Sequence, residues 1–279
     1  MNNKPLTTSA VILVAIALLC NSIIATQVRY GKYAFRDEFN KATNAPIDSS
    51  KWTAEIGGGG WGNEELQYYT NDIENAYHDG AGLLVIKTIK KDLPLSFNCW
   101  YGQCHYTSAR LITKQKFDRK YGRFEARIKI PRGQGIWSAF WMLGNNIDTV
   151  GWANCGEIDV MENIGREPST VHGTIHGPGY SGANSIGAPF SLPNNQKFAD
   201  DFHVYAAEWT ENKINFYVDA NLYKTITPQD LPAGKQWVYD HPFFMILNLA
   251  IGGNWGGAPD DTTVFPQTML IDYVRVYRR

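Results

Sequence analysis

The 279-residue sequence predicts an all-β fold in which two curved antiparallel sheets stack face to face. Three observations support this fold class. Most readable segments alternate apolar and polar residues with a period of two, as half-buried strands do. Helical patterns of 3.6 residues are rare, and no alternation of strands with helices indicates parallel βαβ units. Two stacked sheets that curve leave one concave face, which is a natural groove for a chain-like ligand.

The predicted strands follow one another along the second half of the chain. The first alternates Phe, Ala and Ile with Arg, Glu and Lys, so it has one buried and one polar face. Residues 205–209 and 213–219 form a hairpin that turns at Glu211–Asn212, and residues 243–250 are a mostly apolar run, as in a buried strand. In chain order these strands cover residues 121–130, 205–209, 213–219, 222–226, 243–250 and 270–277.

The N-terminal segment predicts a secretory signal peptide, residues 1–25. Lys4 supplies a positive charge, Ala10–Leu19 form an apolar run, and small residues end at Ala25. The remaining residues 26–279 suit one large domain, which we expect to be a monomer that is secreted, or periplasmic in a Gram-negative bacterium. The net charge of −1 gives no electrostatic case for nucleic acid, and no stable membrane association is expected after cleavage.

The four cysteines fit an exported protein. Cys20 falls in the predicted signal peptide, whereas Cys99 and Cys104 flank a short loop and can pair in an oxidising compartment. Cys155 is then left over. A catalytic thiol needs an activating base, and none is identifiable, so a buried free cysteine is the better interpretation.

The segment GEIDVMEN, residues 156–163, places three carboxylates within six residues. Side chains alternate faces along a strand, so Glu157 and Asp159 point the same way. Glu162 has the wrong parity, but one extra residue near Val160 and Met161, a β-bulge, rotates it onto the same face. Like charges side by side cost free energy, so stability does not favour this cluster.

Two interpretations of the acidic segment stay open from the residues alone. With 27 acidic residues in 279, three acids at one fixed spacing arise by chance in roughly a quarter of such chains, and a solvated strand edge gives the same pattern. Retaining glycoside hydrolysis also needs such a cluster of carboxyl groups, because a carboxylate attacks the sugar while a protonated carboxyl about 5–5.5 Å away assists the leaving group. A third acid between them can hold the pair in opposite protonation states.

Aromatic residues, 13% of the chain, supply candidates for sugar stacking, although core packing is the alternative for each. The glycine-rich loop 57–69 lacks the Lys-Ser/Thr of a phosphate loop and suggests instead that Trp61, Asn63 and Glu64 face a cleft. Trp137 and Trp141 are four residues apart and therefore share one strand face. The second aromatic loop ends in Trp255, after a buried strand.

His172 and His176 are also four residues apart, in VHGTIHGPGYSG. The helical context of a zinc-binding H-E-x-x-H motif is missing, because Gly and Pro neighbours break helices. The spacing therefore favours two histidines on one strand face that donate hydrogen bonds at the cleft edge.

Together these segments resemble glycoside hydrolase family 16, in particular its laminarinase-like endo-β-1,3-glucanases. The resemblance runs from Phe35 to Tyr277 and implies a β-jelly-roll sandwich with a concave substrate cleft, and hydrolysis with retention. The matching stretches are FRDEFN, WGNEELQYYT, GRFEARIKIPRGQGIWSAFWMLG, GEIDVMEN, VHGTIHGPGYSG, FHVYAAEW, NLAIGGNWGG and IDYVRVY.

The resemblance implies a role for each matching residue. Glu157 resembles the nucleophile, Glu162 the general acid/base, and Asp159 the acid that assists them. Trp141, Asn63 and Trp255 match positions in the cleft. The related lichenase motif, E-x-D-x-E, requires Glu at 161, where this chain has Met.

Family resemblance also implies a structural calcium on the convex face, and no cofactor for catalysis. Asp272 and the backbone of Gly82 match ligand positions, with Glu38 as a further candidate, and oxygen ligands suit calcium. The alternative for Asp272 is an ordinary surface hydrogen bond. Ser138 and Gly256 replace prolines that are usual in the family, and both substitutions are expected to loosen loops beside the cleft.

The expected partner is a β-1,3-glucan polysaccharide, which the chain is expected to cleave internally. A transglycosylase or a β-1,3-1,4-glucan hydrolase of the same family remains an alternative, because both use the same carboxylates. A non-catalytic β-1,3-glucan recognition protein is a third reading, and retention of both glutamates argues against it.

Overall fold

The computed structural model describes residues 31–91 and 96–278, and the predicted signal peptide lies outside them. Strands dominate the described residues. In chain order they are β1 (Tyr33–Asp37), β2 (Thr53–Ala54), β3 (Gln67–Tyr69), β4 (Ala76–His78), β5 (Leu84–Lys90), β6 (Asn98–Cys99), β7 (Gly102–Gln103), β8 (Tyr106–Ser108), β9 (Arg110–Ile112), β10 (Asp118–Arg119), β11 (Gly122–Lys129), β12 (Ile136–Gly144), β13 (Glu157–Ile164), β14 (Thr170–His176), β15 (Ile186–Ser191), β16 (His203–Thr210), β17 (Lys213–Val218), β18 (Asn221–Ile226), β19 (Phe243–Ile251) and β20 (Gln267–Tyr277).

Helices are short among the described residues. The α-helices are α1 (Ile147–Val150) and α2 (Gly253–Gly256), and the single-turn 3₁₀ helices are Gly60–Gly62, Gly182–Asn184, Pro193–Asn195 and Pro228–Asp230. No helix in the described parts of the chain is long and apolar enough to cross a bilayer.

Two large sheets form the sandwich, as the period-two patterns predict. The cleft sheet has the order β15-β14-β13-β12-β19-β9-β2, with β10 beside β19. The outer sheet has the order β18-β17-β16-β11-β20-β5-β8-β3, with β1 beside β20 and β4 beside β5. Pairing is antiparallel except between β3 and β8, and the small hairpin β6–β7 stands apart from both sheets.

Side-chain alternation on β12 separates the core from the cleft. Phe140 and Met142 pack between the sheets with Phe124 of β11 and Leu247 of β19, in a core cluster of fully buried residues. The alternate residues of β12 point away from this core and form the concave face. They are Trp137, Ala139, Trp141 and Leu143.

The strand predictions are confirmed by the observed bounds, including the hairpin between β16 and β17, where Thr210 pairs with Lys213. The expectation that Ser138 loosens a loop is wrong. Ser138 lies in the middle of β12, between Asn163 and Leu249 of the neighbouring strands, and is 1% exposed. Gly256 does lie in a loop region, in the single turn of α2, against the side chain of Trp137.

Candidate active site

The acidic segment forms β13, and the bulge that the sequence requires is present. Asp159 pairs with Trp141 whereas Met161 pairs with Phe140, so one residue of β13 is extra at this point. On the other side, Asp159 and Glu162 pair with Thr174 and His172, which are only two residues apart. The bulge turns Glu162 onto the face of Glu157 and Asp159, while Val160 and Met161 both enter the core.

His176 on β14 faces the first two carboxyls. Its Nδ1 accepts the backbone N–H of Gly182 at 3.1 Å, so in this arrangement the ring proton is on Nε2. Nε2 lies 3.1 Å from Oδ2 of Asp159 and 3.7 Å from Oε1 of Glu157. Oδ2 of Asp159 is buried and forms no hydrogen bond of good geometry with the described residues. His176 therefore places a ring nitrogen beside a carboxyl oxygen that lacks a well-formed partner.

Two tryptophans donate to the glutamates at the two ends of the acidic segment. The indole Nε1 of Trp137 lies 3.1 Å from Oε1 of Glu162. The indole Nε1 of Trp152, in the loop before β13, lies 2.8 Å from Oε2 of Glu157. Trp137 is 8% exposed and Trp152 is 52% exposed, so one ring is part of the wall and the other stands at the rim. Each glutamate thus has its own fixed donor.

Burial raises the pKa of all three carboxyls. The pKa of Glu157 rises to about 8, first because its carboxylate is desolvated and then because Asp159 is beside it. Burial also raises the pKa of Asp159 to about 7. Desolvation, followed by the charge of Asp159, holds the pKa of Glu162 well above its ordinary value. Because each ionised carboxylate opposes ionisation of the next, the cluster retains protons at neutral pH.

The acidic cluster lies in a cavity of about 810 Å³ on the concave face. With the exception of Glu64, each residue that the sequence analysis expects to face the cleft is in its wall. The lining residues are Trp61, Gly62, Asn63, Glu65, Arg110, Trp137, Ala139, Trp141, Leu143, Trp152, Glu157, Asp159, Glu162, His172, Thr174, His176, Gly182, Ala183, Ser185, Asn248, Asn254 and Trp255.

One wall of the cleft is a stack of two tryptophans around an arginine. The guanidinium carbon of Arg110 lies 4.7 Å from the ring centroid of Trp61 and 4.7 Å from that of Trp141. Nε1 of Trp141 donates to Oδ1 of Asn248 at 2.7 Å, and Arg110 also pairs with Glu55. Cation–π contacts and hydrogen bonds hold both rings in place, so they present preformed flat surfaces.

The glycine-rich loop contributes Glu65 to the cleft rather than Glu64. Glu64 is exposed and has a positive φ of 58°, which turns it outward, whereas Glu65 is 4% exposed. Glu65 accepts hydrogen bonds from Gln67 at 2.6 Å, and from Asn63 and Tyr69 at 3.2 Å each. Burial raises the pKa of Glu65 despite these donors. The expectation for Glu64 is therefore wrong, and its neighbour replaces it.

The opposite wall is built around Trp255. Its ring centroid lies 5.3 Å from that of Trp137 and 5.0 Å from that of His172, both edge to face. Nε2 of His172 lies 2.9 Å from Oε2 of Glu167, which fixes the histidine ring. Trp255 is therefore part of the cleft wall close to Glu162, and the ring of His172 packs against it.

Two groups of residues have metal-ligand chemistry. Ligand atoms of Glu157, Asp159 and His176 lie within 4.8 Å of one another, so these three can hold a cation. The predicted calcium residues are brought together by topology, because Glu38 follows β1 and Gly82 precedes β5, and both strands pair with β20, which carries Asp272.

The carboxylates of the predicted calcium site are paired with arginines. Both oxygens of Glu38 accept from Arg275, at 2.9 and 2.7 Å, and this hydrogen bonding lowers the pKa of Glu38. Oδ2 of Asp272 accepts from Arg127 at 2.7 Å. As arranged here, Glu38 has no free carboxylate oxygen and does not fit as a ligand, whereas the second oxygen of Asp272 and the carbonyl of Gly82 are oxygen ligands of the kind that calcium prefers.

Sequence reasoning missed several functional candidates, for identifiable reasons. Trp152, Arg110 and Asn248 lie in segments whose local pattern carries no sign of a cleft position. Trp152 is in an irregular loop, while Arg110 and Asn248 reach the cleft only through the pairing of β9 with β19. Such long-range pairing is not legible in a single sequence.

Comparisons with known proteins agree with the site. The family model for glycosyl hydrolases family 16 matches residues 60–275. The chain is 43% identical over 242 residues to a beta-glucanase of Rhodothermus marinus, covering 83% of this chain and 80% of that protein. It is 41% identical over 260 residues to glucan endo-1,3-beta-glucosidase A1 of Niallia circulans, covering 88% of this chain but only 37% of that longer protein.

A solved structure is similar over its full length. The laminarinase catalytic domain from Thermotoga maritima MSB8 superposes with a TM-score of 0.83 at 48% identity, and the match covers 90% of this chain and 99% of that domain. The jelly-roll sandwich that the sequence predicts is thus the fold of this chain.

Proposed function

This chain belongs to glycoside hydrolase family 16, and we propose that it cleaves β-1,3-glucan internally, with retention of configuration. The observation that carries the proposal is the bulged strand β13, which puts Glu157, Asp159 and Glu162 on one face at the floor of an aromatic-walled cleft. The names of the similar proteins, a beta-glucanase, a glucan endo-1,3-beta-glucosidase and a laminarinase, support β-1,3-glucan as the substrate.

Glu157 acts as the nucleophile. A nucleophile must be ionised, and the N–H of Trp152 favours the anion at Oε2. Burial raises the pKa of both Glu157 and Asp159, so the two carboxyls share a proton at neutral pH. In the attacking state that proton is on Asp159, which suits its buried Oδ2 without a well-formed donor. A protonated Asp159 next to Glu157 removes the repulsion between two carboxylates and can donate to the attacking group.

Glu162 acts as general acid and then as general base. Burial and the charge of Asp159 raise its pKa well above the ordinary value, which favours the protonated form that gives a proton to the leaving oxygen. The attack of Glu157 breaks the glycosidic bond and forms a covalent glycosyl-enzyme. Glu162, now ionised, takes a proton from water, which attacks the same carbon and releases the sugar with its original configuration.

Endo action follows from the length of the cleft. Its lining residues come from β14, β13, β12, β19 and β9, which are successive strands of one sheet. At about 4.8 Å per strand, the floor extends roughly 14 Å from β13 to β9 alone. A polysaccharide can therefore cross the sheet with several sugar units bound on one side of the scissile bond.

Release of reducing sugar from laminarin tests the proposal directly, and a chain that binds laminarin without releasing sugar is a recognition protein instead. The first product should be the β-anomer by NMR, and an α-anomer contradicts retention. The two enzyme alternatives use the same carboxylates and need separate tests. Rates on mixed-linkage glucan identify a β-1,3-1,4-glucan hydrolase. Product analysis with an added oligosaccharide acceptor identifies a transglycosylase.

We also propose a structural calcium bound by Asp272 and the backbone of Gly82. Glu38 becomes a ligand only if the ion displaces Arg275 from its carboxylate. If calcium binds the native state, a chelator should lower the melting temperature and leave initial rates at low temperature unchanged, because the site is in the outer sheet. Thermal melts in excess calcium and in excess chelator measure this. Identical melting temperatures in the two conditions mean that Arg275 and Arg127 neutralise these carboxylates instead.

We also propose that the enzyme acts outside the cytoplasm as a monomer. The disulfide between Cys99 and Cys104 supports an oxidising compartment, and the remaining cysteine, Cys155, is free and buried. Detection of the disulfide by mass spectrometry of the protein purified from its native compartment tests the location.

A further inference from the structure

A small hairpin outside both sheets carries one of the most exposed aromatic rings of the described chain. Strands β6 and β7 pair through Cys99 and Gly102, and the disulfide from Cys99 to Cys104 closes the hairpin at its base. Trp100, at the turn, is 48% exposed and is not part of the cleft wall. About half of this flat ring is open to solvent beside the cleft loop, so it is free to stack on the face of a sugar.

The hairpin is fastened to the loop that forms one end of the cleft. Trp100 donates its backbone N–H to the carbonyl of Gly58 and its indole N–H to the carbonyl of Glu65, both at 2.8 Å. The hydroxyl of Tyr101 donates to the carbonyl of Leu66 at 2.7 Å. Between these anchor points the loop carries Trp61, Asn63 and Glu65 into the cleft. The position of Trp100 relative to the cleft is therefore fixed.

Close packing explains why this loop contains a run of glycines. A Cβ on Gly58 would lie 2.7 Å from the sulfur of Cys99, and one on Gly60 would lie 2.9 Å from the ring of Trp100. Gly60 also has a φ of +78°, which other residues adopt at a cost. The glycines allow the hairpin to sit directly on the backbone next to Trp61.

We propose that Trp100 is an additional glucan-binding subsite, beyond the end of the cleft that Trp61 forms. The proposal rests on the proposed function, because it takes a glucan chain as the ligand. Trp141 and Trp61 lie on either side of Arg110 in the cleft, and the ring of Trp100 packs against Gly60, next to Trp61 in the chain but outside the cleft wall. A rigid, half-exposed ring stacks on a sugar face with little loss of conformational entropy.

Distance from the catalytic strand gives the subsite its signature. Arg110 lies on β9, three strands from β13, Trp61 stacks on Arg110, and Trp100 lies outside the cleft wall, so the proposed subsite takes a sugar several units from the cut bond. The subsite therefore binds long chains and is out of reach of short ones. Its loss should raise KM for laminarin and leave kcat unchanged, because a stacking contact that the ground state and the transition state make equally contributes only to binding.

The test compares substrates of different length in the full chain. Trp100→Ala should lower kcat/KM on laminarin by about two- to tenfold, through KM, and change kcat/KM on laminaritriose by less than twofold. Trp100→Phe keeps a ring and removes the bond to Glu65, so it should stay close to wild type. Leu222→Ala, at an equally exposed apolar residue on edge strand β18 of the outer sheet, is the matched control.

Each outcome bears on the proposal. An equal loss on laminarin and on laminaritriose means that Trp100 only holds the loop, and no loss on either means that the ring binds nothing; both overturn the subsite. Calorimetric titration of laminarin into Glu157→Gln with and without Trp100→Ala gives a separate reading. If the wild type releases no sugar but Trp100→Ala still weakens laminarin binding, the proposed hydrolysis fails and the subsite stands.

Discussion

Glu157→Gln and Glu162→Gln are each expected to lower kcat on laminarin by roughly 10³-fold or more while laminarin binding is nearly unchanged. Both amides keep the size of the side chain, so the cleft retains its shape. Glu157→Gln has no nucleophile, and Glu162→Gln has no proton to give or take. The lost interactions are those formed in the transition state, and steady-state kinetics together with titration of laminarin measure the two effects separately.

Chemical rescue assigns the two roles. Azide should restore turnover of Glu157→Ala with an inverted glycosyl azide, because the anion attacks from the vacated side of the sugar. With Glu162→Ala, azide should give a retained product, because Glu157 still forms the covalent intermediate. Glu125→Gln is the matched control, since Glu125 is a carboxylate of the outer sheet that is only 6% exposed, and its kcat should not change. Near-normal turnover by either active-site variant contradicts the assignment.

The sequence predicts the arrangement of the acidic strand well because the rules involved are local. Alternation puts Glu157 and Asp159 on one face, and the parity of Glu162 requires a bulge if it is to join them. The bulge occurs where it is needed, with Val160 and Met161 both in the core. The same local rule puts Trp137 and Trp141 together on the concave face.

Side-chain partners between distant segments were not predictable in the same way. The pattern that marks Glu38 and Asp272 as oxygen ligands contains no information about Arg275 and Arg127, each of which reaches its carboxylate from a neighbouring strand of the sheet. Local backbone conformation was equally hard to predict in the glycine-rich loop. The left-handed backbone at Glu64 turns that side chain outward, so Glu65 faces the cleft in its place.

No local sequence pattern marks Trp152 as a residue of the catalytic site. Its contact with Glu157 nevertheless gives it a specific electrostatic role. Its N–H is 2.8 Å from Oε2 of Glu157, whose pKa burial and the charge of Asp159 raise to about 8. A donor to the ionised form lowers the pKa, so Trp152 opposes both effects. Glu157 must be ionised to attack, and activity is lost as pH falls through the pKa of this carboxyl. Removing the donor raises that pKa and moves the acidic limb of the pH profile to higher pH.

Trp152→Phe should therefore shift the acidic limb of kcat/KM upward by about half to one pH unit and lower kcat/KM about three- to tenfold at pH 6, since a hydrogen bond to a charged group contributes about 1.5–3 kcal/mol, and less at an exposed position. Trp141→Phe is the contrasting variant, because it removes an indole N–H from the same cleft whose acceptor is Asn248 rather than a carboxylate. Its acidic limb should stay in place even if KM rises. An unshifted limb in Trp152→Phe, with the loss confined to KM, would mean that Trp152 contacts only the sugar and that His176, without the help of Trp152, favours the ionised form of Glu157.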